Sequence, residues 1–293
     1  MSHRVEKRIN ELKDAISTYS PGSTFRLPRD RPTEPPIALR IGLFGPTGVG
    51  KSALINSMNY ATGPMWENRA PEGFAIEASK TLTRNAFPMT EKITMVDNRG
   101  MRSLGGPFMV ELGHQIAGVY NDEQSVEWDH GFLRRVVAGL ERTFRAKVDC
   151  EIHCAVLVIS ALNLSLRATD LKELIEQIKS MTGMITSLLN SGVTRGRRDS
   201  AMMGKLSFIT PSPIVIITHR RHHEVREEVI IAFRTGLQQQ RIDYVYELEN
   251  YTTDDHGYDA EKHLVLLEAL YQCAIVGDKV MKYKESNQGC TIL

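Results

Sequence analysis

Five apolar runs mark the chain: ALRIGLF at 38–44, KITMVD at 92–97, AVLVISA at 155–161, PIVIITH at 213–219 and IDYVYELE at 242–249. Val and Ile fill them with little polar alternation, the pattern of strands covered on both faces. Between and after them the apolar period lengthens. KSALINSMNYA reads as a helix after the first run. Leu171, Leu174, Ile175, Ile178, Ile185, Leu188 and Leu189 fall on one helical stripe, opened by a capping-box-like Asp170 and Glu173. Further helical patterns cover 131–145, 223–237 and 261–283. Strands alternating with helices predict an α/β fold, a mostly parallel doubly wound sheet with helices on both faces. Upstream, Val5, Ile9, Leu12 and Ile16 predict a short amphipathic helix within 1–20, and the proline-rich 21–36 predicts a linker. The main domain is expected over 37–284 and a flexible polar tail over 285–293.

Composition narrows the class. The 293 residues are 42% hydrophobic and 24% charged, as in ordinary soluble domains. A net charge of +1 gives no electrostatic case for a nucleic-acid partner. No apolar run approaches the ~18 residues of a membrane span. The N-terminus MSHRVEKRINELKD lacks a secretory apolar core, and Ser2 stands where myristoylation needs glycine. Four cysteines are too few and too scattered for a disulfide framework. An intracellular protein is expected.

The turn after the first run carries the chemistry. Gly45, Pro46, Thr47, Gly48, Val49, Gly50, Lys51 and Ser52 fit G-x-x-x-x-G-K-[ST] at every fixed position, with a strand before and a helix after, and these residues with the next one, Ala53, are expected to bind the nucleotide. Glycines let the backbone amides curl around an anion, and the helix adds its positive end. Lys51 is expected on the β- and γ-phosphates and Ser52 on Mg²⁺. The second run closes on Asp97, the acid expected to hold Mg²⁺ through water, and Asp97-Asn98-Arg99-Gly100 reads D-x-x-G. Gly100 would then offer its amide to the γ-phosphate. Thr81 and Thr83 both qualify by position to close over the metal, and spacing does not choose between them.

These motifs in this order resemble the translation-factor-like P-loop GTPases, and most nearly the interferon-induced protein 44 and 44-like family; septins and immunity-associated GTPases are more distantly similar. FGPTGVGKS, DNRG, ELGHQIAGVYND and ENYT carry the resemblance, over about 37–280. It implies a P-loop NTPase fold, GTP or GDP as ligand with Mg²⁺, and Asn250 near the base. The base motif departs from the GTPase pattern [N/T]-K-x-D. Thr218 fits its first position, His219 replaces Lys, and Arg221 replaces Asp and cannot accept a hydrogen bond. His219 remains able to stack on a purine, and Glu224 or Glu249 to supply the acceptor. Met101 stands where a glutamine would orient the attacking water. Slow intrinsic turnover is expected, with any fast rate supplied by an effector or a homodimer. Arg99 and Arg102 read as solvated switch residues, with stabilisation of phosphate charge in cis as the alternative.

Other clusters read as structural. Cys150, His153 and Cys154 lead into a strand and lack a fourth zinc ligand. His219, His222 and His223 follow a strand in a polar loop, and 194–205 is a basic insertion. The chain ends Cys290-Thr291-Ile292-Leu293, a C-a-a-X pattern with Leu, behind weakly basic Lys279, Lys282 and Lys284. Geranylgeranylation of Cys290 would place the protein on the cytosolic face of a membrane, reversibly. The sequence thus predicts a prenylated, Mg²⁺-dependent guanine-nucleotide switch. A non-hydrolysing nucleotide-holding scaffold with relaxed base choice is the alternative.

Overall fold

A computed structural model describes residues 2–24, 38–71, 83–98, 100–101, 108–124, 148–164, 167–191 and 213–288. The elements are α1 (Ser2–Ser17), β1 (Leu39–Phe44), α2 (Lys51–Thr62), β2 (Asn85–Pro88), β3 (Ile93–Asp97), α3 (Phe108–Ile116), β4 (Cys154–Ser160), α4 (Ala168–Ser191), β5 (Ile214–Thr218), α5 (Glu227–Gln239), β6 (Val245–Glu247) and α6 (Ala260–Gln288). The strands form one sheet in the order β2-β3-β1-β4-β5-β6. All neighbours pair in parallel except β2, which runs antiparallel to β3 with Asn85 opposite Asp97. This is the mostly parallel α/β sheet that the apolar runs predict.

The two covered faces explain the missing alternation. Cys154, Val156 and Val158 of β4 point into a core shared with Leu54, Met58, Leu266 and Leu270 of α2 and α6. Ala155, Leu157 and Ile159 point the other way, onto Leu112, Ile178, Ile185 and Phe233 of α3, α4 and α5. Every residue of β1 and β4 is buried. The connections leaving β1 and β4 run to opposite sides of the sheet. The crevice between their carboxyl ends is where such sheets bind ligands.

Several boundaries differ from the sequence reading. β2 was not expected: NAFP is short, ends in proline and has no apolar repeat, and it is ordered as an edge strand by its partner β3. β6 keeps only three residues of the run 242–249, because the chain leaves the sheet after Leu248 donates to Ile217 O at 2.8 Å. Helix α6 runs through KYKES to Gln288, where a polar tail from 285 was expected. Lys, Glu and Gln sustain a helix already anchored by its packed stripe. The expected helix at 131–145, the insertion 194–205, Arg99, Arg102, Thr81 and Cys290 lie outside the described residues.

The N-terminal helix is continuous with this core. Ile9, Leu12, Ile16 and Tyr19 are buried in the same cluster as Leu266 and Leu270 of α6. The following turn is tied to a buried acid. Asp278 Oδ1 accepts from Tyr19 Oη at 2.6 Å and Gly22 N at 2.8 Å, and Oδ2 from Thr24 N at 2.8 Å and Thr24 Oγ1 at 2.6 Å. On the opposite face Arg84, fully buried, donates to the carbonyls of Gln115 (2.9 Å) and Cys150. Burial lowers its pKa to about 10, reinforced by nearby Arg40 and opposed by Asp122.

Candidate nucleotide site

The loop 45–50 sits at the carboxyl end of β1, in that crevice. Gly45, Gly48 and Gly50 have φ of 152°, 82° and 87°. At Gly45 an added Cβ would come 2.2 Å from Val158 O, so the loop's entry against β4 admits only glycine. Lys51 opens α2 and is 7% exposed. Its ammonium donates to Gly45 O at 3.1 Å and Pro46 O at 2.9 Å, so it lies across the loop's own carbonyls. Burial draws its pKa down to about 8, against the opposing pull of Asp97.

The two residues expected at the metal meet. Ser52 Oγ donates to Asp97 Oδ2 at 2.7 Å. Parallel pairing of Leu43 with Asp97 sets this contact, because it brings the end of β3 level with the loop. A hydroxyl and a buried carboxylate in contact beside a phosphate loop are the donor set that Mg²⁺ takes, with water and phosphate oxygens completing its shell. Thr83 Oγ1 donates to Asn85 Oδ1 at 3.0 Å, and Asn85 is the register partner of Asp97. Thr83 therefore lies just before β2, on the side of Asn85 that neighbours Asp97. Among the described residues no group of three or more His, Cys, Asp and Glu side chains could hold a metal ion by itself. His153 Nδ1 accepts from Arg40 N at 3.0 Å, a contact that ties the approach to β4 to β1.

A second group of residues converges on the far end of the loop. Thr218 Oγ1 donates to Val49 O at 2.7 Å. Asn250 Nδ2 donates to Gly50 O at 3.1 Å, and Asn250 Oδ1 is buried with no hydrogen-bond partner. His219 has φ of 56° and stands with Nδ1 2.9 Å from Ser160 Oγ. A Cβ on Gly50 would lie 2.9 Å from Asn250 Nδ2 and 3.6 Å from His219 Cε1. Burial lowers the His219 pKa, with Glu249 opposing, so the ring is neutral at physiological pH. Arg221 turns away from this group. Its guanidinium pairs with Asp259 at 2.5 Å and Glu261 at 3.2 Å, while its backbone N–H donates to Glu249 Oε2 at 2.7 Å. Of the two substitute acids, Glu249 stands beside His219, whereas Glu224 is exposed and faces His222 at 4.0 Å.

Gly100 abuts Thr47, and the Met101 side chain is 2% exposed in the core between Phe44 and α3. Lys279, expected in a basic patch, donates to Tyr244 Oη at 3.4 Å and stands 5.9 Å over its ring. Among the described residues no helix is long and apolar enough to cross a membrane.

No protein-family model and no curated protein matches the chain. Among solved structures it is similar to three of Toc33 from Arabidopsis thaliana. They are a dimerization-deficient mutant (11% identity, TM-score 0.43), a complex with Mg²⁺ and GMPPNP (14%, 0.40), and a complex with GDP and Mg²⁺ (13%, 0.38). Each alignment covers 94% of this chain and 92% of that chain. Likeness at this level assigns neither a family nor a ligand to the chain, and the reading of the site rests on its own geometry.

Proposed function

We propose that the chain is a Mg²⁺-dependent guanine-nucleotide-binding protein with slow hydrolysis. The 2.7 Å contact between Ser52 and Asp97, at the mouth of a complete G-x-x-x-x-G-K-S loop, carries this reading. Lys51, freed from the loop carbonyls, reaches the β- and γ-phosphates. Ser52 and Asp97 hold the metal, joined by Thr83 or Thr81. The motif resemblance to the interferon-induced protein 44 and 44-like family points the same way.

Guanine is favoured over adenine by the chemistry at the far end of the loop. Guanine offers two ring-edge donors, N1–H and N2–H₂, and calls for an acceptor with two lone-pair directions. Glu249 supplies that carboxylate in place of the acid missing at Arg221, and His219 supplies a neutral ring face. A site built on such an acceptor discriminates between bases, because the wrong base leaves the acceptor without a donor. Calorimetric titration with GDP, GTP and ATP, with and without Mg²⁺, tests this. Guanine nucleotides should bind and ATP should bind at least about tenfold more weakly. Glu249→Gln should lose the guanine preference. A chain that takes up no nucleotide, or that prefers ATP, overturns the reading.

Slow turnover follows from Met101, which has no group to orient water. Single-turnover hydrolysis that is already fast in the wild type would reject it. A non-hydrolysing scaffold that holds nucleotide statically is the second reading, favoured by the same buried Met101. The lipid is a further part of the proposal. Helix α6 passes from Asp259 and Glu261 beside Arg221, at the nucleotide end, to Gly277 against Leu39 at the opposite end of β1. A prenyl group on Cys290 would tether the protein by the pole away from the nucleotide. Cys290→Ser should move it from the membrane to the soluble fraction; unchanged membrane association would exclude the lipid.

A further inference from the structure

The D-x-x-G segment is docked on the phosphate loop by contacts that nucleotide binding alone does not explain. Met101 N–H donates to Gly45 O at 3.1 Å, and Thr47 N–H donates to Met101 O at 3.1 Å. Residue 101 thus pairs with Pro46 as a single parallel bridge. Gly100 lies so close that a Cβ on it would meet Thr47 Oγ1 at 2.6 Å and Thr47 Cα at 2.9 Å. Asn98 Nδ2, one residue past the metal acid, donates to Leu43 O at 3.2 Å. Behind this backbone the Met101 side chain is seated among Phe44 of β1 and Leu112 and Ile116 of α3.

Two consequences follow for the phosphates. A loop amide that cradles a phosphate oxygen must point at it, and the Thr47 amide is engaged by Met101 O. A γ-phosphoryl group held between the Gly100 amide and the loop needs a gap as wide as itself, and on the Cβ side of Gly100 Thr47 leaves no room even for a methyl group. The α- and β-phosphates, cradled by the later amides of the loop and the start of α2, meet neither obstacle.

We propose that Met101 is a selectivity residue that latches the D-x-x-G segment over the γ-phosphate end of the loop, so that the site takes a nucleoside diphosphate in preference to the triphosphate. A triphosphate binds by drawing Met101 out of its socket. A ligand opens such a latch only to the extent of its extra affinity for the open arrangement. The withdrawn side chain leaves Leu112 and Ile116, so opening removes a core partner from α3 and carries the event to the far face of the sheet. This proposal rests on the nucleotide reading above.

The test compares wild type, Met101→Ala and the volume-conserving Met101→Leu as full-length chains. Each is titrated with GDP and with a non-hydrolysable GTP analogue in Mg²⁺. Amide hydrogen exchange is followed at residues 47 and 101 with and without each ligand. Drawing the buried Met101 side chain out of its socket predicts a wild-type preference for the diphosphate of roughly thirtyfold. Met101→Ala should narrow it to about threefold, and Met101→Leu, which refills the socket, should retain most of it. The Met101 and Thr47 amides should be protected in the free protein and with GDP, and exposed with the triphosphate analogue. A wild type that prefers the triphosphate, a ratio unchanged in folded Met101→Ala, or a Met101 amide protected throughout would each overturn the latch. Should no nucleotide bind, the nucleotide reading fails. The latch is still judged by the two amides, which must then be protected in wild type and in Met101→Leu. If Met101→Ala does not fold, the wild-type ratio and the exchange data decide.

Discussion

Acid should loosen this protein through His263 at the start of α6. The ring is 2% exposed. It lies among Tyr60, Tyr251 and Tyr258, with ring centroids 5.0, 5.4 and 4.7 Å away, and its Nδ1 is 2.7 Å from Tyr251 Oη. Burial lowers its pKa from 6.5 to about 4; Lys13 acts in the same direction, and the Asp259 carbonyl, Glu6 and Asp259 oppose it. The unfolded chain therefore takes up a proton as pH falls through 6.5, while the folded chain does not until about 4. Stability from the neutral ring is complete above 6.5 and is lost as pH falls through that window. A shift of 6.5 − 4 = 2.5 units corresponds to about 3.4 kcal/mol in full. Between pH 7 and pH 5 the loss is about 2 kcal/mol. Urea unfolding of wild type and His263→Phe at both pH values isolates it, since any fixed cost of the substitution cancels in the difference. Wild type should lose about 2 kcal/mol more than the variant. Equal losses would refute the assignment of acid sensitivity to this ring.

Three other substitutions test the packing and the site. Asp278→Asn turns one acceptor oxygen into a donor that faces the donors of the 19–24 turn. It should cost about 3 kcal/mol in urea unfolding, and a loss under about 1 kcal/mol would mean the turn is not held there. Gly50→Ala puts a methyl 2.9 Å from Asn250 Nδ2 at a φ of 87°. It should destabilise by about 1–2 kcal/mol and weaken nucleotide binding at least about tenfold, read by calorimetry; wild-type affinity would show that the loop tolerates a different shape. Arg221→Ala should leave guanine affinity within about threefold, because the guanidinium faces Asp259 and Glu261 and the backbone N–H that reaches Glu249 is retained. A larger loss would put Arg221 at the base.

The sequence determined the sheet's central strands, the covering helices α2, α4, α5 and α6 but not α3, and the loop at 45–52 with its partner acid at 97. These are legible because they are local: a run of Val and Ile has the same consequence wherever it pairs, and a glycine-rich turn before a helix exposes its amides whatever surrounds it. The contact between Ser52 and Asp97 was legible for the same reason, since a strand ending in Asp beside such a loop can meet its serine through simple parallel register. What joined distant segments was not legible. Strand β2 has no apolar signature of its own and exists through pairing with β3. The N-terminal helix reads as a separate amphipathic segment, yet four donors on the turn after it close on Asp278, over 250 residues away in sequence. Base recognition was left open between Glu224 and Glu249 because Arg221 broke the motif. The structure pairs Arg221 with Asp259 and stands Glu249 beside His219, and the proposed base contact rests on that placement. Met101 likewise looked like a missing catalytic side chain. Only the packing around Phe44 and α3 made it an anchor, because whether a side chain faces a phosphate or a core depends on the neighbours the fold brings to it.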